Sequence, residues 1–280
     1  MSGKINSAGS KSGVIGETEL PLPIATKHRV NVDRPGDGPY TSDEYTTLLI
    51  HSDTTHGSTT FTDSSSVGAT ITNVSASHDT THSKIGASSI YFAEGDSINV
   101  PDAAGLSFGR KAFTIDFWSK YVVDGGSTPS IRIIGQGGNN NTEAAGQWFI
   151  RSYVNGVNAC YLPFRTTNVG QAQGWSAVDM NDGKWHHTCL TKGDNEDSTA
   201  ILQMAVDGVF VGGFGVLTTT GGRTVTQDHE WRNLNETTNS APLHIGGAPF
   251  PSTPENWEGW IDEIRFSKGI QRWKANFTVG

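Results

Sequence analysis

Charge is scarce in this chain. Asp, Glu, Lys and Arg make up 17% of the 280 residues, against about 25% in an average globular protein. That shortage excludes a helical bundle or coiled coil, which is built largely from Ala, Glu, Lys, Leu and Arg. Positive charge is scarcest: 20 Lys and Arg against 28 Asp and Glu leave a formal net charge of -8. Nucleic-acid affinity comes mostly from clustered Lys and Arg, so neither nucleic acid nor an anionic membrane is an expected partner. Cysteine is nearly missing. Cys160 and Cys189 allow one bridge at most, and at this length no disulfide scaffold is needed. Long apolar runs are missing too. The most apolar stretch, 200–217, is broken by Gln203, Asp207 and four Gly, whereas a membrane helix needs about 20 mostly apolar residues. It reads as two strands around an Asp207-Gly208 turn. Residues 1–10, MSGKINSAGS, lack the apolar segment of a secretion signal. The expectation is a soluble chain with no membrane insertion.

What is present points to β structure. Ser and Thr make up about a fifth of the chain, Gly numbers 34, and eight Trp and twelve Phe can build a core. Disordered chains lack such aromatics. The length suits one large β domain or two small ones. Residues 1–44 stand apart. They carry Gly3, Gly9, Gly13, Gly16, Gly36 and Gly38 with Pro21, Pro23, Pro35 and Pro39, and no strand or helix period persists. Such a segment cannot form its own core and reads as an extended, anchoring arm.

From Tyr45 onward, short strand-like runs alternate with turns: 46–51, 89–92, 97–100, 113–121, 130–134, 147–154, 159–164, 185–192, 200–206, 209–214, 243–245 and 260–266. In 113–121, Phe113, Ile115 and Phe117 alternate with Thr114 and Asp116. Many short strands with Gly, Asn and Asp turns predict an all-β, antiparallel sandwich or jelly roll spanning 45–280. Asn139-Asn140-Asn141 and 218–240 read as exposed loops. Cys160 and Cys189 fall in runs that are candidates for neighbours in one sheet, and whether they pair stays open.

Several segments together resemble the laminin-G-like, concanavalin-A-like jelly rolls of phage and bacterial surface proteins. They are TTLLIHSD (46–53), FTDSS (61–65), SKIGASSIYF (83–92), FTIDFW (113–118), DGKWHH (182–187), VDGVFV (206–211), LHIGG (243–247) and GWIDEIRFSKG (259–269). The closing QRWKANFTV (271–279) is similar to the end of phage-borne versions, and GKINSAGSKSGVIG (3–16) to the start of phage virion proteins. The resemblance implies two packed antiparallel sheets, often with a glycan-binding surface, in a tail fibre, tail protein or capsid decoration. It also places the location in a virion assembled in a host cytoplasm, where free buried thiols are the default. Fold alone does not fix function.

The same fold occurs in glycoside hydrolases, whose strand of Glu-x-Asp-x-Glu type is missing here. Retaining hydrolases need two carboxyls about 5–5.5 Å apart. Glu258, Asp262 and Glu263 have the wrong spacing, Asp262 and Glu263 should face opposite ways, and Glu94-Gly95-Asp96 sits in a turn. His186 and His187 are adjacent on a strand and cannot chelate together, so packed, hydrogen-bonded histidines are expected. No His-Glu-x-x-His, Cys-x-x-Cys, Walker or nucleophile-elbow pattern occurs.

Asp262 alternates with Trp260, Ile264 and Phe266, which read as a core face. A carboxylate there must be paired, hydrogen-bonded or metal-bound. By resemblance it would lie near the 63–65 loop, where Asp63 and Asp262 could share Ca²⁺, the one candidate cofactor. Where the family loop continues Gly-Asn-Gly, this chain has Ser66-Val67-Gly68, and a backbone-capping Asp is the competing reading. Trp118, Trp185 and Trp260 lie inside strands and read as core. Trp148, Trp175, Trp231 and Trp257, with Asn139, Asn140 and Asn141, are the candidates for a glycan or partner surface, against the reading that each Trp merely plugs the sandwich. The expectation is a non-enzymatic virion protein. Its arm, 1–44, would join other virion proteins, its head would meet a host glycan or neighbouring subunits, and a trimer or other homo-oligomer would add valency. The alternatives are a polysaccharide depolymerase and a bacterial surface adhesin.

Overall fold

The computed structural model describes residues 34–108, 111–122, 131–136, 148–152, 158–162, 172–176, 180, 182–193, 202–210, 215–217, 223–224, 241–247 and 258–280. The chain divides into Met1–Val30 and Asn31–Gly280. The first unit lies outside the described residues.

Every regular element among the described residues is a strand. In chain order they are β1 (Thr46–Ile50), β2 (Thr72–Val74), β3 (Ser77–Asp79), β4 (Ser89–Phe92), β5 (Ser97–Val100) and β6 (Phe113–Tyr121). Next come β7 (Ile131–Gln136), β8 (Trp148–Ser152), β9 (Asn158–Leu162), β10 (Ala172–Ser176), β11 (His186–Lys192) and β12 (Leu202–Val206). The last five are β13 (Val209–Phe210), β14 (Gly215–Leu217), β15 (Arg223–Thr224), β16 (Leu243–Ile245) and β17 (Gly259–Lys268). The runs read at 89–92, 97–100, 113–121 and 243–245 coincide with β4, β5, β6 and β16. Strands β2, β3, β10, β14 and β15 do not stand out as strand-like runs, and β15 falls inside the stretch read as a loop.

The strands form two antiparallel sheets. The first runs β13-β12-β11-β6-β17-β4-β3, with β1 pairing β17, and the second runs β15-β14-β10-β9-β8-β7-β16-β5-β2. Leu48, Ile50, Phe92, Ile115, Phe117, Ile264 and Phe266 of the first sheet form one buried cluster with Ile98, Val100, Ile134, Ile150, Leu243 and Ile245 of the second. Each such side chain contributes about 1.5–3 kcal/mol by leaving water. The fold is therefore an all-β sandwich of jelly-roll type, as the alternation in 113–121 predicts.

Both faces of the first sheet are buried along much of β6. Its outward residues Thr114, Asp116 and Trp118 are as hidden as its inward ones. Tyr40, Trp273 and Phe277 lie over this outer face: Tyr40 stacks on Arg265, and Trp273 and Phe277 pack against His187. Cys189, Ala205 and Trp273 form a second small cluster there. Tyr40 is 2% exposed, and Asp43 takes a bidentate bond from Arg272, 2.9 Å to each oxygen. Residues 40–44 thus belong to the folded body, which corrects an arm ending at residue 44. The cysteines also need correction. Cys189 is a buried free thiol on β11 of the first sheet, whereas β9, which carries Cys160, is in the second. They are not neighbours in one sheet.

A bulge in β17 sets much of the outer face. Pairing with β6 shifts register between Asp262 and Arg265, and Glu263 adopts φ 51°. One extra residue reverses the alternation. Ile264 and Phe266 face the core, and so does Ile261, three residues before Ile264. Trp260 and Asp262 therefore do not share the core face expected from simple alternation.

Candidate functional site

Because of that reversal, Trp260 projects outward and is only half-buried. Register lines it up across four strands: Ser77 on β3 opposes Tyr91 on β4, Tyr91 opposes Trp260 on β17, and Trp260 opposes Lys120 on β6. All four are half-buried. At about 4.8 Å per strand the row is roughly 14 Å long. The Tyr91 and Trp260 ring centroids are 5.5 Å apart, and the Lys120 ammonium lies 5.3 Å from the Trp260 ring. His82 extends the aromatic surface, with its ring 3.9 Å from that of Trp260.

Asp79, two residues after Ser77 on the same outward side, fixes the indole. Its Oδ2 accepts the Trp260 Nε1–H at 2.7 Å and lies 3.1 Å from His82 Nδ1. Its Oδ1 accepts both the Thr81 N–H at 2.8 Å and the Thr81 hydroxyl at 2.7 Å, with His56 Nδ1 at 3.3 Å. Partial burial works to raise its pKa, but these donors outweigh it and hold the carboxyl well below the usual range. Trp260 is thereby oriented before any ligand arrives.

Sequence reasoning misses this row. Tyr91, Lys120 and Trp260 are far apart in the chain and meet only through register. Trp148, a surface candidate in the sequence, lies in the core instead. It is 4% exposed, its Nε1 donates to Gln136 Oε1 at 3.4 Å, and it packs against Phe266. Trp175, read as a loop residue, lies on β10. Trp231, Trp257, Asn139, Asn140 and Asn141 lie outside the described residues. Trp118 is buried as expected, though on the outer side, under the Lys84 ammonium at 4.2 Å. Trp185 is half-buried just before β11.

The two proposed Ca²⁺ ligands are occupied by donors, and their partners do not overlap. Asp63 accepts from Leu49 N at 2.9 Å, Ser65 N at 2.8 Å, Ser65 Oγ at 2.8 Å and Ala69 N at 2.7 Å. Asp262 accepts from Lys84 N, Ile85 N and Glu263 N, each at 3.0 Å. These are capping carboxylates that pin loops to β1 and β17. Among the described residues no three of His, Cys, Asp or Glu gather as a metal-binding group. Burial, then the neighbouring Glu263 charge, push Asp262 up to about 8 against the pull of its N–H donors.

The histidine pair separates as alternation requires. His186 lies between Asp207 Oδ2 at 2.7 Å and Asp182 Oδ1 at 2.9 Å. Burial lowers its pKa, but the two carboxylates outweigh that and the net shift is upward. His187 is fully buried beside Trp118, Trp273 and Phe277. Burial drives its pKa down despite Asp116 at 3.6 Å.

A family model described as the concanavalin A-like lectin/glucanases superfamily, of laminin-G type, matches residues 92–270. The chain belongs to this family. No curated relative matches it. Among solved structures it is similar to the binding domain of Paraclostridial mosquitocidal protein 1, with 13% identity, TM-score 0.55, and coverage of 81% of this chain and 50% of that one. The binding domain of botulinum neurotoxin serotype D/C gives 14% identity, TM-score 0.53 and coverage of 81% and 50%. A botulinum neurotoxin DC binding domain in complex with SialylT gives 13%, 0.52, and 82% and 49%. The chain spans about half the length of these structures. At such identities the likeness is one of fold.

The family also includes glucanases, so the carboxylates decide what chemistry is open. Asp63, Asp79 and Asp262 are held by backbone or indole donors as above. Asp116 is held by Arg265 at 3.1 and 3.0 Å. Glu263 lies between Tyr40 N at 2.7 Å and His51 Nδ1 at 2.8 Å. Each is engaged in holding the sandwich together. Among the described residues, the Tyr91–Trp260–Lys120 row is half-buried and leaves part of its aromatic surface open to a ligand.

Proposed function

We propose that the chain is a non-enzymatic phage virion protein, a tail fibre, tail protein or capsid decoration, whose sandwich binds a host glycan. One observation carries the glycan reading. Two half-exposed rings, Tyr91 and Trp260, are lined up on the outer face beside Lys120, and Asp79 fixes the indole. Among the described residues Lys120 has no carboxylate partner. Aromatic faces suit pyranose rings, and the ammonium supplies a donor for hydroxyls. The engagement of the buried carboxylates supports binding over cleavage. The virion reading rests on the Gly- and Pro-rich arm and the phage-like termini of the sequence. The arm would join other virion proteins, and a homo-oligomer would multiply weak sites.

The test is glycan-array binding by the full chain and by Trp260→Ala, with thermal melting of both. Binding that is lost in the variant while melting is retained supports the row as the site. Equal binding by the variant would move the site elsewhere. Release of reducing ends from host polysaccharide by the wild type would replace the binding reading with the depolymerase alternative. Side-chain-resolution imaging of intact particles tests the virion assignment separately.

A further inference from the structure

The segment that leads from residue 34 into β1 is held on the outer face through one carboxylate with two tasks. Glu263 Oε2 accepts the Tyr40 N–H at 2.7 Å, and Glu263 Oε1 lies 2.8 Å from His51 Nδ1. The Tyr40 ring rests on the Arg265 guanidinium at 4.0 Å, and Arg265 in turn grips Asp116 with two bonds. Glu263 itself is 1% exposed and sits at the positive-φ position of the bulge. His51 is different. Its side chain is 23% exposed, so solvent protons reach it.

The charges around this pair are unevenly balanced. From the β1 end, His51 and Asp53 face the site. From β17 come Asp262, Glu263 and Arg265, from β6 comes Asp116, and from the docked segment comes the Tyr40 phenol. Arg265 is already bonded to Asp116, so protonated His51 is the cation that meets the second oxygen of Glu263. Without that proton, three carboxyl groups, those of Asp53, Asp262 and Glu263, surround a neutral imidazole.

We propose that His51 and Glu263 form a proton-operated latch on the root of the N-terminal segment: protonated His51 holds Glu263 in place to keep Tyr40 docked, and loss of that proton loosens residues 34–44 from the sandwich. The titration behaviour agrees with the geometry. Burial lowers the pKa of His51, but the hydrogen bond and charge of Glu263 outweigh it, and the net shift is above the ordinary 6.5. A group with a raised folded pKa contributes stability below its unfolded value and loses it as pH rises through the folded one. The latch therefore loosens as the solution turns from neutral to mildly alkaline. The outcome would be release of residues 34–44 from the outer face in mild alkali while the sandwich stays intact.

Amide hydrogen exchange of the full chain between about pH 6 and about pH 9 tests this, across the range in which a histidine switches. After correction for base-catalysed intrinsic exchange, protection of the Tyr40 amide should fall about tenfold. Protection of the β6 amides from Ile115 to Trp118 should stay constant in the same samples. In His51→Asn the Tyr40 amide should be weakly protected throughout and show no pH step. The proposal is overturned if Tyr40 protection is flat with pH in the wild type, if it falls in parallel with β6, or if His51→Asn keeps the wild-type profile.

Discussion

The Asp116 carboxylate and the Arg265 guanidinium form a doubly hydrogen-bonded ion pair, 3.1 and 3.0 Å long, with both side chains fully buried. They sit on adjacent strands, β6 and β17, directly opposed in register. Burial works to raise the pKa of Asp116, but Arg265, then His187, outweigh it and hold the carboxyl well below the usual range. The pair lies outside the main core, roofed by Tyr40. Removing one partner leaves the other charge buried without its counter-ion, which costs about 3–5 kcal/mol. Asp116→Ala should therefore lose a large share of a total stability of about 5–15 kcal/mol. The double change Asp116→Leu with Arg265→Met should recover much of that loss, because it removes both desolvated charges. Urea melts of the three proteins check this, and a double variant no better than the single one would show that the pair does more than neutralise itself.

The docked segment makes truncation sensitive to a few residues. A chain starting at residue 34 keeps Tyr40 under cover and Asp43 on Arg272. A chain starting at residue 45 loses burial of the Tyr40 ring, roughly 2 kcal/mol, and takes the Asp43 counter-ion from the fully buried Arg272 side chain. The combined loss of about 5 kcal/mol should lower Tm by roughly 10–20 °C, whereas the longer form should melt with the full chain. Calorimetry of both truncations decides it, and equal Tm values would return the boundary to residue 44.

How much of the fold is legible in the sequence depends on where strand alternation holds. In 113–121 the alternation of Phe113, Ile115 and Phe117 with Thr114 and Asp116 reveals both the strand and its core face. It cannot show that the polar side is also buried, because the cover comes from Tyr40 and Trp273, distant in sequence. In β17 the same rule fails at Glu263, where one bulged residue moves Trp260 from core to surface. No local signal marks that position, since Glu at positive φ is unusual. The candidate row needs three strand registers at once. Asp63 and Asp262 are recognisable as carboxylates in need of partners, but backbone N–H groups leave no mark in a sequence.

His244 gives the acid limb of stability. It sits on β16 between β5 and β7 and is 7% exposed. Burial lowers its pKa to about 4. With a folded value below the ordinary 6.5, the unfolded state binds the proton first as pH falls. Stability is thus lost between pH 6.5 and about 4, by up to about 3 kcal/mol. His186 is shifted upward, so its gain comes above pH 6.5 and does not offset this loss. His244→Asn should flatten the acid limb measured by denaturant melts from neutral to mildly acidic pH. An unchanged slope would assign the limb to other groups.

Asp79 offers a way to disturb the candidate site without touching the rings. Its carboxylate holds the Trp260 Nε1–H at 2.7 Å and also binds Thr81 and His82. In Asp79→Ala the indole loses its acceptor, and Trp260 can turn about its side-chain bonds. If an oriented Trp260 is what a sugar meets, affinity should fall about tenfold, or about 1.4 kcal/mol, with both rings still present. Loss of the buried hydrogen bonds should cost about 1–3 kcal/mol of stability, which leaves the sandwich folded at room temperature. Asp79→Asn keeps one oxygen as acceptor for the indole and should bind between the two. Isothermal titration with a glycan found on the array separates these outcomes. Affinity ordered wild type, Asn, Ala would show that orientation of the ring, and not its mere presence, makes the site, whereas equal affinities in all three would place the sugar away from Trp260.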